Sequence, residues 1–457
     1  MRAAWITVFA TGLLPQGPLG AAGAPRESLQ DKLSATVAVS RSLEAPGCVA
    51  GIFRKGKVIA AAASGAADVE AQRANTLDTQ FYAASLSKQF TAVALLQLVA
   101  NGKLSLRDDI RRYLPEFPDY GQTITVEMLL HHKAGIVDHL NVAVIEGSLD
   151  AGKITRAEAL GMLQRQKALR YVAGTRFEYS NGGYLLLSEI VERVSGEPFE
   201  SYVGTHVLKP LGMTRSFMMR NARSTDANLA RGYTLRDGKP ALSDKYPPFG
   251  GSGGLVTTLN DLAKWDRDID SGHKVWTPAV ARLMLEGGKF ANGAPVMRRG
   301  HSVSYAGGLA IAHQWIQHTG TANGFSNIYA RHPRSRTGIA LLCNDGTTNS
   351  TAKADAIAAL IGDNLPPVGE IAVNPHPLDG SFRSDSIAAT YQVTTTADGL
   401  TLVIRSPEKP EDPAELTLTR TPEGEYRFTG LLLSPDDDND GFTLSFGLVS
   451  YHFARVR

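Results

Sequence analysis

Residues 81–90 read Phe81-Tyr82-Ala83-Ala84-Ser85-Leu86-Ser87-Lys88-Gln89-Phe90 and run into an apolar segment that ends at Asn101-Gly102. The apolar run predicts a helix that Asn-Gly stops. On a helix, positions three apart share a face, so the Ser85 hydroxyl and the Lys88 amine point into the same space. A serine hydroxyl is a weak nucleophile until a neighbour takes its proton, and a lysine serves when burial lowers its pKa. At a helix start, unpaired backbone N–H groups also favour the oxyanion that forms in acyl transfer. A serine and a lysine three apart is by itself a common pattern, so the rest of the chain has to support it.

Two later segments do. Glu178-Tyr179-Ser180-Asn181-Gly182-Gly183-Tyr184 opens a second apolar helix, and the other segment is His318-Thr319-Gly320-Thr321-Ala322-Asn323-Gly324-Phe325. Ser-Leu-Ser-Lys, Tyr-Ser-Asn and His-Thr-Gly, in that order, resemble the three motifs of the serine β-lactamase, penicillin-binding-protein and D-aminopeptidase group, in its class C-like branch with related esterases. The resemblance covers roughly residues 43–362 and includes Pro210-Leu211-Gly212-Met213 and Gly253-Gly254-Leu255-Val256-Thr257-Thr258. It implies that Ser85 is acylated, that Lys88 and Tyr179 share the proton transfers, and that Asn181 binds substrate and Lys88. Tyr179 then needs positive charge nearby, because a phenol ordinarily titrates near ~10. The resemblance further implies that His318, Thr319, Gly320 and Thr321 line the edge of the cleft, where an acyl chain pairs as an added strand. The backbone N–H groups of Ser85 and Thr321 would form the oxyanion hole.

One departure matters. Where the β-lactamases of this group carry a lysine in the third motif, His318 stands, and an ordinary histidine is mostly neutral at pH 7 with a pKa of ~6.5. The expectation is that a fixed cation is lost, which favours hydrolysis of peptides, amides or esters, including D-amino-acid peptides, over rapid β-lactam turnover.

Around the motifs the periodicity changes along the chain. Helix-period patterns occupy residues 27–43, 90–99, 125–130, 156–166, 184–194, 261–268 and 352–361. Residues 48–53 and 58–62 flank Lys55-Gly56-Lys57 as a β-hairpin, and further strands fall at 327–330 and 338–343. The expected fold is α/β (α+β) of the β-lactamase/transpeptidase type: an antiparallel sheet built from both ends of one domain, flanked by helices, with a helical subdomain inserted. Residues 362–380 read as a Pro/Gly linker, and the alternating segments 400–405, 416–419 and 442–446 predict a small all-β sandwich or barrel. The expected division is residues 1–24 as a signal peptide, 25–365 as the hydrolase domain and 378–457 as the C-terminal β domain.

Arg2, the apolar run at 3–14 and the small residues Ala21-Ala22-Gly23-Ala24 have the layout of a secretory signal, with cleavage near Ala22 or Ala24. The expectation is an exported protein, periplasmic or secreted, with no integral membrane segment in the mature chain. With 47 Lys+Arg against 45 Asp+Glu the net charge is +2, so the basic excess of a nucleic-acid binder is missing. The two cysteines, Cys48 and Cys343, are too few for a four-thiolate metal site. If the first and last strands are neighbours, as the resemblance implies, these thiols meet, either bridged or as two buried free thiols. No cofactor is expected, and the expected partner is a small peptide, amide or ester substrate. The composition leaves oligomeric state open.

Two metal-like patterns have plainer readings. His131, His132, Asp138 and His139 lack ligand spacing for a metal hydrolase. Asp436, Asp438, Asp440 and Gly441 begin a calcium-loop pattern, but position twelve is Gly447 and not glutamate, so a solvated turn is expected. A non-catalytic sensor that binds cell-wall peptides is the remaining alternative, disfavoured by the joint presence of Ser85, Lys88, Tyr179 and Asn181.

Overall fold

The computed structural model describes residues 27–39, 43–145, 150–220, 226–236, 238–296, 303–312, 315–362, 378–384, 387–396, 399–407, 409–421, 425–428, 431–436, 440–446 and 449–456. The expected signal segment and most of the expected linker lie outside these residues.

A seven-stranded antiparallel sheet forms the frame. Its order is Val303–Tyr305, Ala310–Ala312, Trp315–Ala322, Phe325–His332, Thr337–Cys343, Cys48–Arg54 and Lys57–Ser64, so the N-terminal hairpin closes one side of a sheet otherwise made by the end of the domain. The strands Cys48–Arg54 and Thr337–Cys343 pair with Cys48 directly opposite Cys343. The two cysteines are bridged, with their Cα atoms 4.1 Å apart, which answers the alternative left open by the sequence. The strands Val303–Tyr305 and Ala310–Ala312 carry no periodicity long enough to have been read as strands.

One face of the sheet is covered by the helices Leu29–Val37 and Ser350–Leu360, packed over Ala50, Ile52, Ile339 and Leu341. The other face carries the inserted helical region. Its centre is the helix Ser87–Ala100, which is buried on nearly every side; a helix apolar all round belongs in a core and not on a surface. Phe90 stacks on Trp265 at 4.1 Å, and the Trp265 indole N–H donates to Gln89 Oε1 at 2.8 Å, which pairs one polar atom of this helix inside the core. The helix Asn181–Ser195 lies beside it, started by Ser180, whose side chain accepts from the Gly183 N–H, and stopped by Gly196 in the left-handed region.

Toward the C-terminus, eight strands from Gly380–Ser384 to Val449–Arg455 close into a barrel around Phe382, Val393, Leu402, Leu418, Phe442 and Phe453. Closure leaves no open sheet edge. The barrel meets the helical region where Arg176 Nη2 donates to Thr443 Oγ1 at 3.0 Å, three residues before Tyr179.

Candidate active site

The turn Ala84–Leu86 leads directly into the helix Ser87–Ala100, so Ser85 stands at its N-terminal end. Ala84 has φ 48°, a left-handed conformation that a residue with a Cβ adopts only under constraint. Ser87 supplies part of that constraint: its hydroxyl donates to the Ala84 carbonyl at 2.6 Å and accepts from the Leu255 N–H at 2.9 Å. The second serine of the motif therefore fixes the turn that presents the first.

Lys88 is fully buried, and its Nζ has three partners: Ser85 Oγ at 3.1 Å, Asn181 Oδ1 at 2.8 Å and the Ser252 carbonyl at 2.8 Å. Burial lowers its pKa from the ordinary 10.5 to about 7, with Asp138 pulling it back up. Two of the three partners can only accept. In the neutral amine they take both N–H bonds, and the lone pair is left facing the Ser85 hydroxyl. The Tyr179 hydroxyl donates to the same Ser85 Oγ from the other side, at 2.9 Å. Tyr179 is about one-third exposed, at 36%, and so lies at the mouth of the site with its ring 4.7 Å from Lys88 Nζ.

Asn181 is held by a residue outside the three motifs. Asp138 Oδ2 accepts from the Asn181 backbone N–H at 2.9 Å and from its Nδ2 at 2.8 Å, which turns Oδ1 toward Lys88. Sequence reasoning had grouped Asp138 with three histidines as metal-like, and the structure separates the four. His131 Nδ1 meets Glu127 Oε1 at 2.7 Å, and His132 Nδ1 accepts from the Ser180 N–H at 3.1 Å while its ring lies 4.4 Å from that of Tyr179. His139 is fully buried, and burial lowers its pKa to about 4. Asp138 stands immediately before the helix His139–Ile145 and accepts from the Leu140 N–H at 2.9 Å, but nothing local in the sequence shows that its other oxygen reaches a motif asparagine.

The third motif lies on the strand Trp315–Ala322. Its partner on the outer side, Ala310–Ala312, pairs only as far as Gln317. From His318 onward the outer edge has no strand partner among the described residues, so Thr319, Gly320 and Thr321 lie on an unpaired strand edge. Gly320 is required there: a Cβ on it would meet the Ala83 carbonyl oxygen at 2.2 Å, which shows how closely this strand passes the nucleophile turn. His318 is buried, with Nε2 3.0 Å from the Tyr305 hydroxyl and Nδ1 2.5 Å from the Thr319 carbonyl. Of the residues singled out from sequence, Ser85, Lys88, Tyr179 and Asn181 are joined by hydrogen bonds, the His318 ring lies 6.2 Å from that of Tyr179, and Gly320 passes against the nucleophile turn with Thr319 and Thr321 beside it on the strand. Those the sequence missed are Asp138, Ser252 and Tyr305.

The acidic pattern in the barrel is spoken for locally. Asp436 Oδ2 pairs with His452 at 2.7 Å and Asp440 with Arg455 at 3.6 Å, while Asp438 lies outside the described residues.

A serine at a helix start, bracketed by a buried lysine and a tyrosine and set against a sheet flanked by helices, defines a β-lactamase-related serine hydrolase. The chain belongs to the Beta-lactamase family, whose model matches residues 33–363. A protein of Bacillus subtilis (strain 168) named as penicillin-binding protein PbpX is 30% identical over 299 residues, which are 64% of this chain and 69% of that one. A D-aminopeptidase of Cereibacter sphaeroides is 25% identical over 380 residues, 80% of this chain and 70% of its own. Against D-aminopeptidases of Brucella species, the matched stretch spans about half of their length. In fold, the octameric penicillin-binding protein homologue from Pyrococcus abyssi superposes with a TM-score of 0.62 at 24% identity, over 90% of this chain and 96% of that one.

Proposed function

We propose that this protein is an exported hydrolase that forms an acyl-enzyme on Ser85 and cleaves amide or ester bonds. Small D-amino-acid peptides, amides and esters are the favoured substrates, and β-lactams are turned over slowly. One observation carries the reading: Ser85 Oγ is flanked at 3.1 and 2.9 Å by Lys88 Nζ and the Tyr179 hydroxyl, and the remaining Lys88 partners are acceptors. An amine with a pKa of about 7 is largely unprotonated above neutral pH and takes the serine proton as Oγ bonds to the carbonyl carbon. The carbonyl oxygen becomes an oxyanion that the Ser85 and Thr321 N–H groups receive. Tyr179 then passes a proton to the leaving amine or alkoxide as the C–N or C–O bond breaks, and it is reprotonated from Lys88. Water attacks the ester on Ser85, giving its proton back through the same groups, and the acid leaves. The similarity to a protein named D-aminopeptidase supports the substrate class.

The test is direct labelling. Purified protein reacts with a fluorophosphonate or penicillin probe, Ser85→Ala abolishes the label, and chelator leaves turnover unchanged. A panel of D-amino amides, short-chain esters and nitrocefin ranks the substrates. Serine-independent turnover that a chelator stops would overturn the reading in favour of metal chemistry, and absence of both label and turnover would favour a binding protein. Export is tested by fractionation with N-terminal sequencing, the expected mature start following Ala22 or Ala24.

A further inference from the structure

Ser85, Lys88 and Asn181 stand on helical turns, but Tyr179 does not. Residues 176–180 form neither helix nor strand, and the Tyr179 side chain is partly open to solvent at the mouth of the site. A reacting group on an irregular segment keeps its place only where neighbouring groups hold it. Here one residue takes the backbone on both sides of the tyrosine. The His132 carbonyl accepts from the Glu178 N–H at 2.9 Å, and His132 Nδ1 accepts from the Ser180 N–H at 3.1 Å. Between those two bonds the Tyr179 ring packs on the His132 ring, with centres 4.4 Å apart and planes 36° apart. His132 does for this segment what a neighbouring strand does in a sheet, with a ring nitrogen in place of one carbonyl.

The backbone of His132 has a reason of its own for its conformation, and the side chain does not share it. The helix Val126–Leu130 ends at His131, and His132 follows with φ 56°. The Lys133 N–H reaches back to the Met128 carbonyl at 2.9 Å and the His132 N–H to the Leu129 carbonyl at 3.3 Å, the paired bonds of a helix stop that glycine makes with least strain. The stop accounts for the left-handed backbone but not for an imidazole. The ring is buried among Phe177, Tyr179, Tyr184 and Tyr305, and its Nε2 has no hydrogen-bond partner among the described residues. A ring nitrogen that accepts carries no proton, so the neutral ring is protonated at Nε2. Burial, then nearby Lys88 and His318, hold His132 well below the ordinary histidine range, which keeps Nδ1 an acceptor.

We infer that His132 is a positioning residue for Tyr179, keeping the tyrosine hydroxyl in reach of Ser85 Oγ by bonding the N–H groups on either side of it and packing against its ring. The inference deepens the acyl-transfer reading and rests on it for the role of Tyr179. Both bonds go to backbone, so His132 sets where the hydroxyl stands and takes no proton in the reaction. Asn181 is held separately, by Asp138, so losing the Nδ1 bond leaves the partners of Lys88 in place and the effect falls on Tyr179. The loss must then follow the step that Tyr179 performs, proton transfer to the leaving group.

The experiment measures single-turnover acylation of the full-length protein by the p-nitroanilide and the p-nitrophenyl ester of one D-amino acid. The anilide nitrogen must take a proton as its C–N bond breaks, whereas p-nitrophenolate leaves without one. Tyr179→Phe should therefore slow the anilide far more than the ester. His132→Phe keeps a ring and removes the acceptor, and should show the same pattern, about 10²-fold on the anilide and less than about 10-fold on the ester. His132→Asn places an amide oxygen near the position of Nδ1 and tolerates the left-handed backbone, so it should lose less than about 10-fold on either substrate. Adding His132→Phe to Tyr179→Phe should slow the anilide no further. Equal loss on both substrates, or additive loss in the double variant, is what a merely structural histidine gives, and either result overturns the inference. In unmodified protein with ¹⁵N-labelled histidine rings, the His132 signals, assigned by their loss in His132→Asn, should show a bare Nδ1 and a protonated Nε2 at pH 7. A proton on Nδ1 overturns the inference whatever the substrate. If His132→Phe does not fold, that spectrum and the asparagine variant decide: His132→Asn that folds yet slows the anilide by about 10²-fold also overturns it. Protein that shows the expected ring pattern but no Ser85-dependent acylation overturns the proposed function and not the clamp.

Discussion

Lys88 Nζ lies 3.1 Å from Ser85 Oγ, and the two other hydrogen bonds of this amine end on groups that can only accept, Asn181 Oδ1 and the Ser252 carbonyl. The neutral amine thus has one place for its lone pair, toward the serine. Its pKa of about 7 makes the base form the minority below pH 7 and the majority above it. The acid limb of kcat/KM should therefore bend near pH 7, activity rising with pH through that point. Lys88→Arg, which cannot lose its proton, should reduce kcat by about 10³-fold or more while the protein still folds. Rate measurement from pH 5 to 9, with circular dichroism of the variant, checks both.

Asp138 acts on Lys88 in two ways with distinguishable signatures. It holds Asn181 by two hydrogen bonds, and its charge raises the Lys88 pKa. Asp138→Asn should lower kcat by about 10- to 100-fold, the range for losing a group that orients a site residue. It should also move the acid limb to lower pH, because the charge that favours the ammonium is gone. A pH profile of the variant separates the two effects.

Gly320 is a steric prediction. A methyl group there would stand 2.2 Å from the Ala83 carbonyl oxygen, so Gly320→Ala must push the strand and the nucleophile turn apart. Displacing reacting groups by about 1 Å costs on the order of 10²-fold in rate. Acylation by a fluorophosphonate should slow by that factor, and the melting temperature should fall.

The Cys48–Cys343 bridge closes a loop of 295 positions between the first strand of the sheet and its sequence-distant neighbour. Removing a bridge over so long a loop should cost about 2–5 kcal/mol. Equilibrium denaturation of Cys48→Ala/Cys343→Ala should show a lower midpoint than the unmodified protein without reductant, and reductant in the denaturant should lower the midpoint of the unmodified protein alone. Both sulfurs are buried, so reductant should do little to the native form.

Much of this molecule is legible in local sequence because local physics decides it. Ser85 and Lys88 are one helical turn apart wherever that helix forms, Ser180 caps the helix that begins at Asn181, and alternation in the last segment suffices to predict a β domain. The family motifs add the order in which the three segments meet. What sequence could not supply are the contacts made by chance of topology between residues far apart. Asp138 reaches Asn181 across 43 positions, Ser252 reaches Lys88 across 164, and the barrel touches Arg176 across 267. No periodicity or motif encodes such meetings.

His318 shows the division most plainly. Its position in a His-Thr-Gly strand was fixed by sequence, and its ordinary pKa suggested a neutral ring. Which atoms face its nitrogens is a matter of packing, and they are the Tyr305 hydroxyl at Nε2 and the Thr319 carbonyl at Nδ1. Sequence determined which side chain stands in the cleft, since side-chain order follows the chain. Tertiary structure decided its hydrogen-bond partners, since the direction of a buried hydrogen bond is set by the acceptors that packing brings within 3 Å.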